Sequence, residues 1–392
     1  MRRLLLLSLS VFLCFMTLPA FGEVPPFGQA PLVEPGFDIA AKAALLLEPE
    51  SNTLLYAKDI HRRLPPASLT KIVSMLLIME AVDEGRVRLD EPVTTSAHAA
   101  GIGGSQVYLK EGEVFPLEKL LIAIAVESAN DATTAVAEHL YSTEEDFVRM
   151  MNLRARKLGM KNSHFTNPHG LPDPEHYTSA ADIAVAAREL IVKHPRILRY
   201  TSIWQYEFRP EKTVLLNTNE LIRDYRGADG LKTGHTQEAG WCLVGTARRA
   251  EMRLIAVVMG AADNAARLRE TKRLLDYGFR NFEVLTVAQK GQELGRVRVP
   301  EAWPSRVKVT APQKIVAVVP RGKARLAETK LTPHPGLRVP VAKGEPLADL
   351  TVFYRGKKVS RQIIPAARPI GRANIIIRGW RAFIRWVLGL FR

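Results

Sequence analysis

Ser68 and Lys71 stand three residues apart in Pro65-Pro66-Ala67-Ser68-Leu69-Thr70-Lys71, directly ahead of the apolar run Ile72 to Met79. The prolines stop whatever precedes them. The run predicts a helix that begins near Ser68, reaches about Glu84 and is closed by Gly85. On a helix this spacing sets the hydroxyl and the amine on one face, one turn apart. A serine hydroxyl is a poor nucleophile near neutral pH, and a lysine whose surroundings lower its pKa from about 10.4 can take its proton. The helix N-terminus adds free N–H groups and partial positive charge for a developing oxyanion. The chemistry is acyl transfer through a serine ester. Alone, Ser-x-x-Lys also fits an N-capping serine followed by an exposed lysine.

Two further tripeptides supply what such a serine needs. Ser128-Ala129-Asn130 falls at a junction between predicted helices, and Lys232-Thr233-Gly234 at the edge of a predicted strand. A second hydroxyl can relay a proton to the leaving amine, and an amide can position a lysine and a substrate carbonyl. Lys232 offers positive charge for a substrate carboxylate, and Gly234 lets backbone approach a ligand closely. Each tripeptide means little by itself; their order, each on a plausible element, carries the argument.

The elements that must position them follow from periodicity. Ala43 to Leu47 and Thr53 to Ala57, split by Pro49-Glu50-Ser51-Asn52, predict a β-hairpin. Arg86 to Val93 and Gly101 to Ser105 read as loop with short strands. Helices are predicted over Glu118 to Val126, Ala132 to Leu140, Thr143 to Leu158, 178–193 (capped by Thr178-Ser179) and Arg267 to Gly278. Strands are predicted over Trp204 to Phe208, Thr213 to Leu216, Gly227 to Thr233, Trp241 to Ala247 and Leu254 to Met259. Strands first, helices in the middle, then strands and a final helix indicate an α+β arrangement in which the first and last elements pack together. Beyond Phe282 the helical signals vanish, and residues 283–363 alternate as a separate small β unit.

Ser-x-x-Lys, Ser-x-Asn and Lys-Thr-Gly in this order form the signature of penicillin-binding proteins and serine β-lactamases. Pro66-Ala67-Ser68-Leu69-Thr70-Lys71, Phe165-Thr166-Asn167-Pro168-His169-Gly170-Leu171, and Asp229 to Thr236 with Ala239-Gly240-Trp241 extend it, and nearly the whole chain resembles the low-molecular-weight D-alanyl-D-alanine carboxypeptidases. That resemblance implies a β-lactamase/transpeptidase-like domain with an antiparallel sheet flanked by helices, a small all-β domain and a C-terminal amphipathic anchor. It implies Ser68 as the acylated nucleophile, Lys71 as its base, Ser128 as proton shuttle and Asn130 in substrate binding. Lys232, Thr233 and Gly234 would line the strand that pairs with the peptide, and the N–H groups of Ser68 and His235 would form the oxyanion hole. Arg267 would meet the terminal carboxylate, unless it is a helix-surface arginine.

The reaction implied removes the terminal D-alanine from peptidoglycan stem peptides, with no cofactor or metal and with covalent capture of β-lactams. His169 and His176 sit in a Pro/Gly-rich loop without a third partner at metal spacing and are expected to serve structure. A β-lactamase is the nearest rival, but the Glu-x-x-Leu-Asn pattern of class A enzymes is absent between Asn130 and Lys232. A DD-endopeptidase would use the same groups. A non-catalytic murein-binding protein is the rival of another class, and Ala129, where these carboxypeptidases often carry glycine, is the one departure in its favour.

Composition sets the surroundings. The 392 residues exceed one ordinary core, and the formal charge of +15 favours an anionic surface without selecting one, since no nucleic-acid motif is present. Met1-Arg2-Arg3, the apolar Leu4 to Leu18 and Ala20-Phe21-Gly22 read as a cleaved secretory signal. Of two cysteines only Cys242 remains after cleavage; it lies in an apolar run, where a small buried hydrophobe is expected. From Ile376 to Arg392, four arginines line one helical face and Trp380, Phe383, Ile384, Val387 and Leu390 the other, which suits a helix lying on an anionic membrane surface. The expected divisions are 1–22 signal, 23–282 catalytic domain, 283–366 β domain and 367–392 anchor tail. The protein would be exported, periplasmic or on the outer face of the cytoplasmic membrane.

Overall fold

The computed structural model describes residues 27, 33, 35–209, 213–374 and 380; the expected signal and nearly all of the expected anchor helix lie outside the described residues. Five antiparallel strands form the central sheet in the order Thr53–Lys58, Ala43–Glu48, Met252–Ala261, Gly240–Arg249, Ala228–Thr236. The first hairpin thus pairs with strands laid down some two hundred residues later, as the order of elements requires.

Strand periodicity decides which face each residue covers. Leu45, Leu47, Val244, Ile255 and Val257 point into a core shared with the helical layer, while Ala44, Leu46, Leu243, Leu254 and Ala256 pack under the long helix Asn264–Asn281. That helix is amphipathic and is capped by Asp263, whose carboxylate accepts from Ala266 N–H. Lys71–Asp83 is different: Ile72, Val73, Met75, Leu76, Leu77, Ile78 and Met79 are all buried, so it runs through the middle of the helical layer. Leu117–Val126, Asn130–Tyr141, Glu144–Lys157 and Ala180–Lys193 surround it. Ser179 caps the last of these through Asp182 N–H.

Two local expectations are refined. The α-helix starts at Lys71, and Ala67–Thr70 forms a 3-10 turn with no side-chain cap, so Ser68 is not spent on capping. Between the two stretches expected to be loop, Ala97–Gly101 forms a one-turn helix whose N-cap is Ser96; five residues are too few to carry a helical period.

From Phe282 onward short antiparallel strands, Phe282–Ala288 through Lys357–Pro365, enclose their own core of Val297, Val309, Ile315, Leu350 and Ile364. Val318 from this part packs with Phe282 and Leu254 at the end of the long helix. The α+β body with a following all-β unit is the arrangement the sequence indicated. Among the described residues no helix is long and apolar enough to cross a membrane.

Candidate active site

The turn that presents Ser68 is held from behind. Ala67 takes a φ of 48°, a region costly to any residue with a Cβ. Its carbonyl accepts from Thr70 Oγ1 at 2.8 Å. Thr70 Oγ1 in turn lies 2.7 Å from His176 Nε2, and His176 Nδ1 accepts from Thr166 N–H at 3.1 Å. These bonds are mutually consistent for one tautomer, neutral with the proton on Nε2. Burial holds the His176 pKa down at about 4, so the neutral ring is the form present near pH 7. The loop Phe165–Leu171 closes on the same turn. Gly170 has a φ of 93°, and a Cβ there would overlap the Ala67 carbonyl oxygen and stand 2.9 Å from Ser68 N. Only glycine permits this approach.

Lys71 is completely buried, and its Nζ faces three oxygens: Ser68 Oγ at 3.1 Å, Asn130 Oδ1 at 2.6 Å and the His169 carbonyl at 2.7 Å. Its pKa lies well below the usual lysine value, first because burial penalises the charge and second because Lys232 is nearby; Asp131 opposes both. A neutral amine has two N–H donors and one lone pair. The two short contacts, to Asn130 and His169, take the donors, and the lone pair is left toward Ser68 Oγ. That is the geometry of a general base for the hydroxyl.

Asn130 is fixed on both sides. Its Nδ2 donates to Gly103 O at 2.7 Å and its backbone N–H to Ser105 O at 2.7 Å. The neighbouring Asp131 carboxylate accepts from Val107 N–H and Leu109 N–H, which anchors the same loop. Two residues before Asn130, Ser128 sits at a φ of 68° with its Oγ buried and without a hydrogen-bond partner among the described residues. Strain and an orphaned hydroxyl each cost about 1–3 kcal/mol. Such costs gather where a ligand completes the site.

The third wall is the edge strand Ala228–Thr236, whose outer side pairs with no strand among the described residues. Lys232 is buried, with Nζ donating to Thr233 O at 3.2 Å. Its pKa falls to about 7, chiefly through burial, then through the charge of Arg267, with Glu127 pulling the other way. Thr233 Oγ1 meets Thr218 Oγ1 at 2.7 Å. A Cβ on Gly234 would lie 3.2 Å from Ser68 N and 2.9 Å from Pro66 O, so this strand and the serine turn touch backbone to backbone. His235 is exposed, its ring 4.0 Å from that of Trp241.

Arg267 is no helix-surface residue. It is buried, its Nη1 donates to Cys242 O at 3.4 Å, and its guanidinium lies 4.9 Å over the Trp241 ring. Trp241 and Cys242 are the partners of His235 and Gly234, so Arg267 stands beside the edge strand. Cys242 is buried with its pKa raised to about 11 by burial, an inert core thiol.

Of the nine residues singled out from the sequence, eight therefore fall on three elements that meet at Ser68, and the ninth, Arg267, reaches them from the long helix Asn264–Asn281. The sequence reading did not assign the His169 carbonyl, Gly170, Asp131 or Thr218. His169 and Gly170 belong to the quoted Asn167-Pro168-His169-Gly170 stretch, but neither's role shows in residue type alone. The His169 ring is buried and its pKa lowered to about 3 by burial and by Lys71; with His176 it serves the framework, and no group of metal-ligating side chains converges among the described residues.

Comparison with known proteins gives the same picture. Residues 29–263 match the family model for D-alanyl-D-alanine carboxypeptidase, and residues 282–370 match the model for the C-terminal domain of penicillin-binding protein 5. The chain is 37% identical over 340 residues to D-alanyl-D-alanine carboxypeptidase DacF of Bacillus subtilis, covering 86% of this chain and 87% of that protein. It is 31% identical to DacA of Haemophilus influenzae, covering 98% and 97%. Penicillin-binding protein 5 from Haemophilus influenzae superposes with a TM-score of 0.78 at 31% identity, over 90% of this chain and 100% of that one. The ampicillin-bound penicillin-binding protein D2 of Listeria monocytogenes superposes with a TM-score of 0.58 at 31% identity, over 63% and 100%.

Proposed function

The chain belongs to the D-alanyl-D-alanine carboxypeptidase family, and from that premise we propose that it removes the terminal D-alanine from peptidoglycan stem peptides through an acyl-Ser68 intermediate. The observation that carries this reading is the Lys71 amine, stripped of water and held by Asn130 and His169 with Ser68 Oγ 3.1 Å away.

The peptide lies along the edge strand Ala228–Thr236, with its terminal carboxylate toward Lys232, Thr233 and Arg267. Lys71 Nζ takes the Ser68 proton as Oγ bonds to the carbonyl carbon of the penultimate D-alanine. The oxyanion is met by the N–H groups of Ser68 and His235. Ser128 Oγ, unpartnered in the free enzyme, gives its proton to the leaving nitrogen and takes in its place the one that Lys71 received from Ser68, so that the C–N bond breaks, D-alanine departs and Lys71 is neutral again. Water then adds to the ester carbonyl, giving a proton to Lys71, and the C–O bond breaks as Lys71 returns that proton to Ser68 Oγ. A β-lactam follows the first half of this path and leaves a penicilloyl ester. Asn130 orients Lys71 and the substrate amide, and Gly234 keeps the strand close enough to Ser68 for both to reach one carbonyl.

The N-terminal segment acts as an export signal, residues 23–282 form the catalytic part and 283–366 the β part, and the arginine-rich tail from 367 onward holds the enzyme on the outer face of an anionic membrane. The sequence patterns described above support these assignments.

Mass spectrometry of the mature protein with and without penicillin, followed by incubation with a stem pentapeptide, tests the proposal. A penicilloyl adduct on the Ser68 peptide together with free D-alanine supports it. An adduct without D-alanine release points to an endopeptidase, and no adduct at Ser68 overturns the assignment.

A further inference from the structure

Residues 371–373, at the close of the β unit, are stitched to the loop 299–305 that joins strand Glu293–Arg298 to strand Arg306–Thr310. Ala373 N–H donates to Glu301 O at 2.8 Å, Trp303 N–H donates to Gly371 O at 3.3 Å, and Ala302 bridges to Arg372. Arg372 also reaches the Glu301 carboxylate at 3.4 Å and donates to Val339 O at 3.3 Å. The loop and the close of the β unit thus form one tied end. Trp303 is 60% exposed there, and Pro300 and Pro304 are exposed with it.

The two strands that carry this loop meet with like charges opposed. Val297, Val299, Val307 and Val309 turn into the core, so Arg296, Arg298, Arg306 and Lys308 share the outer face. The register sets Arg296 against Lys308 and Arg298 against Arg306. Glu293 lies 2.9 Å from Lys308 and 3.8 Å from Arg296 and offsets the first pair. Among the described residues no carboxylate pairs with Arg298 or Arg306, which stand next to the loop. Like charges directly opposite destabilise a sheet, and an anionic partner relieves them.

The course of the chain selects that partner. Ala373 is three residues from Ile376, where the arginine-rich tail begins, and three extended residues span at most about 11 Å. A helix lying on a membrane sinks its apolar face about 5–10 Å into the boundary between headgroups and acyl chains. With the tail so placed, the tied end is held at the depth of the headgroups. Tryptophan gathers at this level because its ring is apolar and its N–H polar.

We propose that the loop 299–305 is a second membrane contact, in which Trp303 enters the headgroup layer of an anionic bilayer while Arg298 and Arg306 pair with lipid phosphates. The inference rests on the tail reading given above and adds a contact made by the folded β unit. A tail alone sets a distance from the membrane; a second contact also sets a tilt. Val318 of the β unit packs with Phe282 and Leu254, so that tilt passes to the catalytic part.

The test uses the full-length mature chain and vesicles of phosphatidylcholine with or without phosphatidylglycerol. Each arginine near an anionic surface is worth about fivefold in affinity. Arg298→Gln/Arg306→Gln should therefore bind the anionic vesicles about 25-fold more weakly than wild type. Lys357→Gln/Lys358→Gln removes the same charge at the far end of the hairpin Pro346–Tyr354 and Lys357–Pro365, roughly 27 Å along the strand, and should bind like wild type. A polarity-sensitive dye on Trp303→Cys should shift to the blue on anionic vesicles. Unfolding midpoints and D-alanine release matched to wild type show that the variants are folded. Equal weakening by the two double variants, or a dye unshifted while the chain is vesicle-bound, overturns the loop contact and leaves the tail reading standing. A dye shifted only by soluble polyphosphate would assign Arg298 and Arg306 to a wall polymer and overturn it likewise. A wild-type chain that ignores anionic vesicles undoes the tail reading and the loop contact together.

Discussion

Gly170→Ala tests whether the loop Phe165–Leu171 positions the nucleophile or merely covers it. The new Cβ overlaps the Ala67 carbonyl oxygen and lies 2.9 Å from Ser68 N, with backbone on both sides and no flexible side-chain end to yield. Relief requires the turn and the loop to part by about 1 Å, and a misplacement of that size at a reacting atom costs about 100-fold in rate. The left-handed φ of 93° adds about 1–2 kcal/mol of strain for any residue with a Cβ. Gly85 is the matched control: its φ is 72°, it ends the helix that Lys71 begins, and a Cβ there meets nothing within 4 Å. Gly85→Ala thus carries the strain without the steric conflict. With a fluorescent penicillin as acylating agent, Gly170→Ala should acylate about 100-fold more slowly than wild type, while Gly85→Ala should acylate at the wild-type rate. Both should unfold at lower temperature, by about 2–8 °C. The reasoning is wrong if Gly170→Ala acylates normally, or if its slowing equals its unfolded fraction.

Lys232 has a pKa of about 7, so its charge, and with it the attraction for a terminal carboxylate, fades above that pH. For a peptide with a free C-terminus, kcat/KM should show a descending limb starting near pH 7; the same peptide ending in an amide should lack the limb, and identical profiles would remove Lys232 from carboxylate binding. His176 and His169 are held neutral, with folded pKa values of about 4 and about 3 against an unfolded value of about 6.5. Between those values the unfolded chain binds more protons. Stability is therefore complete above about pH 6.5 and declines as pH falls toward 4, by up to ~1.4 kcal/mol per pH unit for each ring. Unfolding midpoints from pH 7 to 4.5 should fall less steeply in His176→Gln than in wild type, and equal slopes would count against a buried neutral ring. Removing the tail from 376 onward should release the enzyme from vesicles containing anionic lipid while D-alanine release from a soluble pentapeptide persists. Undiminished vesicle binding would place the anchor elsewhere.

Much of this was legible in the sequence, and the reasons differ between parts. Lys232, Thr233 and Gly234 are contiguous on a strand, so one stretch of chain carries both their types and their geometry. The alternation of Ala44, Leu45, Leu46 and Leu47 between two cores is likewise local, as is the all-apolar helix behind Ser68. The groups that hold Lys71 are not local. Its acceptors lie 59 and 98 residues away, and one is a backbone carbonyl, which every residue possesses and no sequence pattern marks. Gly170 is hidden for the same reason: its φ shows as glycine, but its conflict with Ala67 appears only once two distant turns meet. Arg267 was open between a carboxylate contact and a helix-surface arginine because the residue type fits both, and only its packing on Trp241 and Cys242, the partners of His235 and Gly234, shows which side it faces.

The three cations at this site explain one another. Lys71, Lys232 and Arg267 are all buried, and the acids that act on them are Asp131, already used by two backbone N–H groups, Glu127 and Glu220, whose pull does not cancel the effect of burial on any of the three. With too little negative charge to keep three cations ionised out of water, the free enzyme resolves the conflict by neutralising the most buried amine. That amine is Lys71, the one that must be a base. On the proposed binding mode, arrival of a substrate carboxylate beside Lys232 and Arg267 would supply the missing negative charge, raise the Lys232 pKa and keep that lysine charged, while Lys71, facing Ser68, would stay neutral. A ligand without the carboxylate leaves the conflict in place. Selection for a free C-terminus and activation of Ser68 would then draw on the same charge deficit. Lys232→Met should therefore weaken binding of the carboxylate and also let the Lys71 pKa rise, moving the ascending limb of the acylation profile to higher pH; an unmoved limb would show that the two lysines act independently.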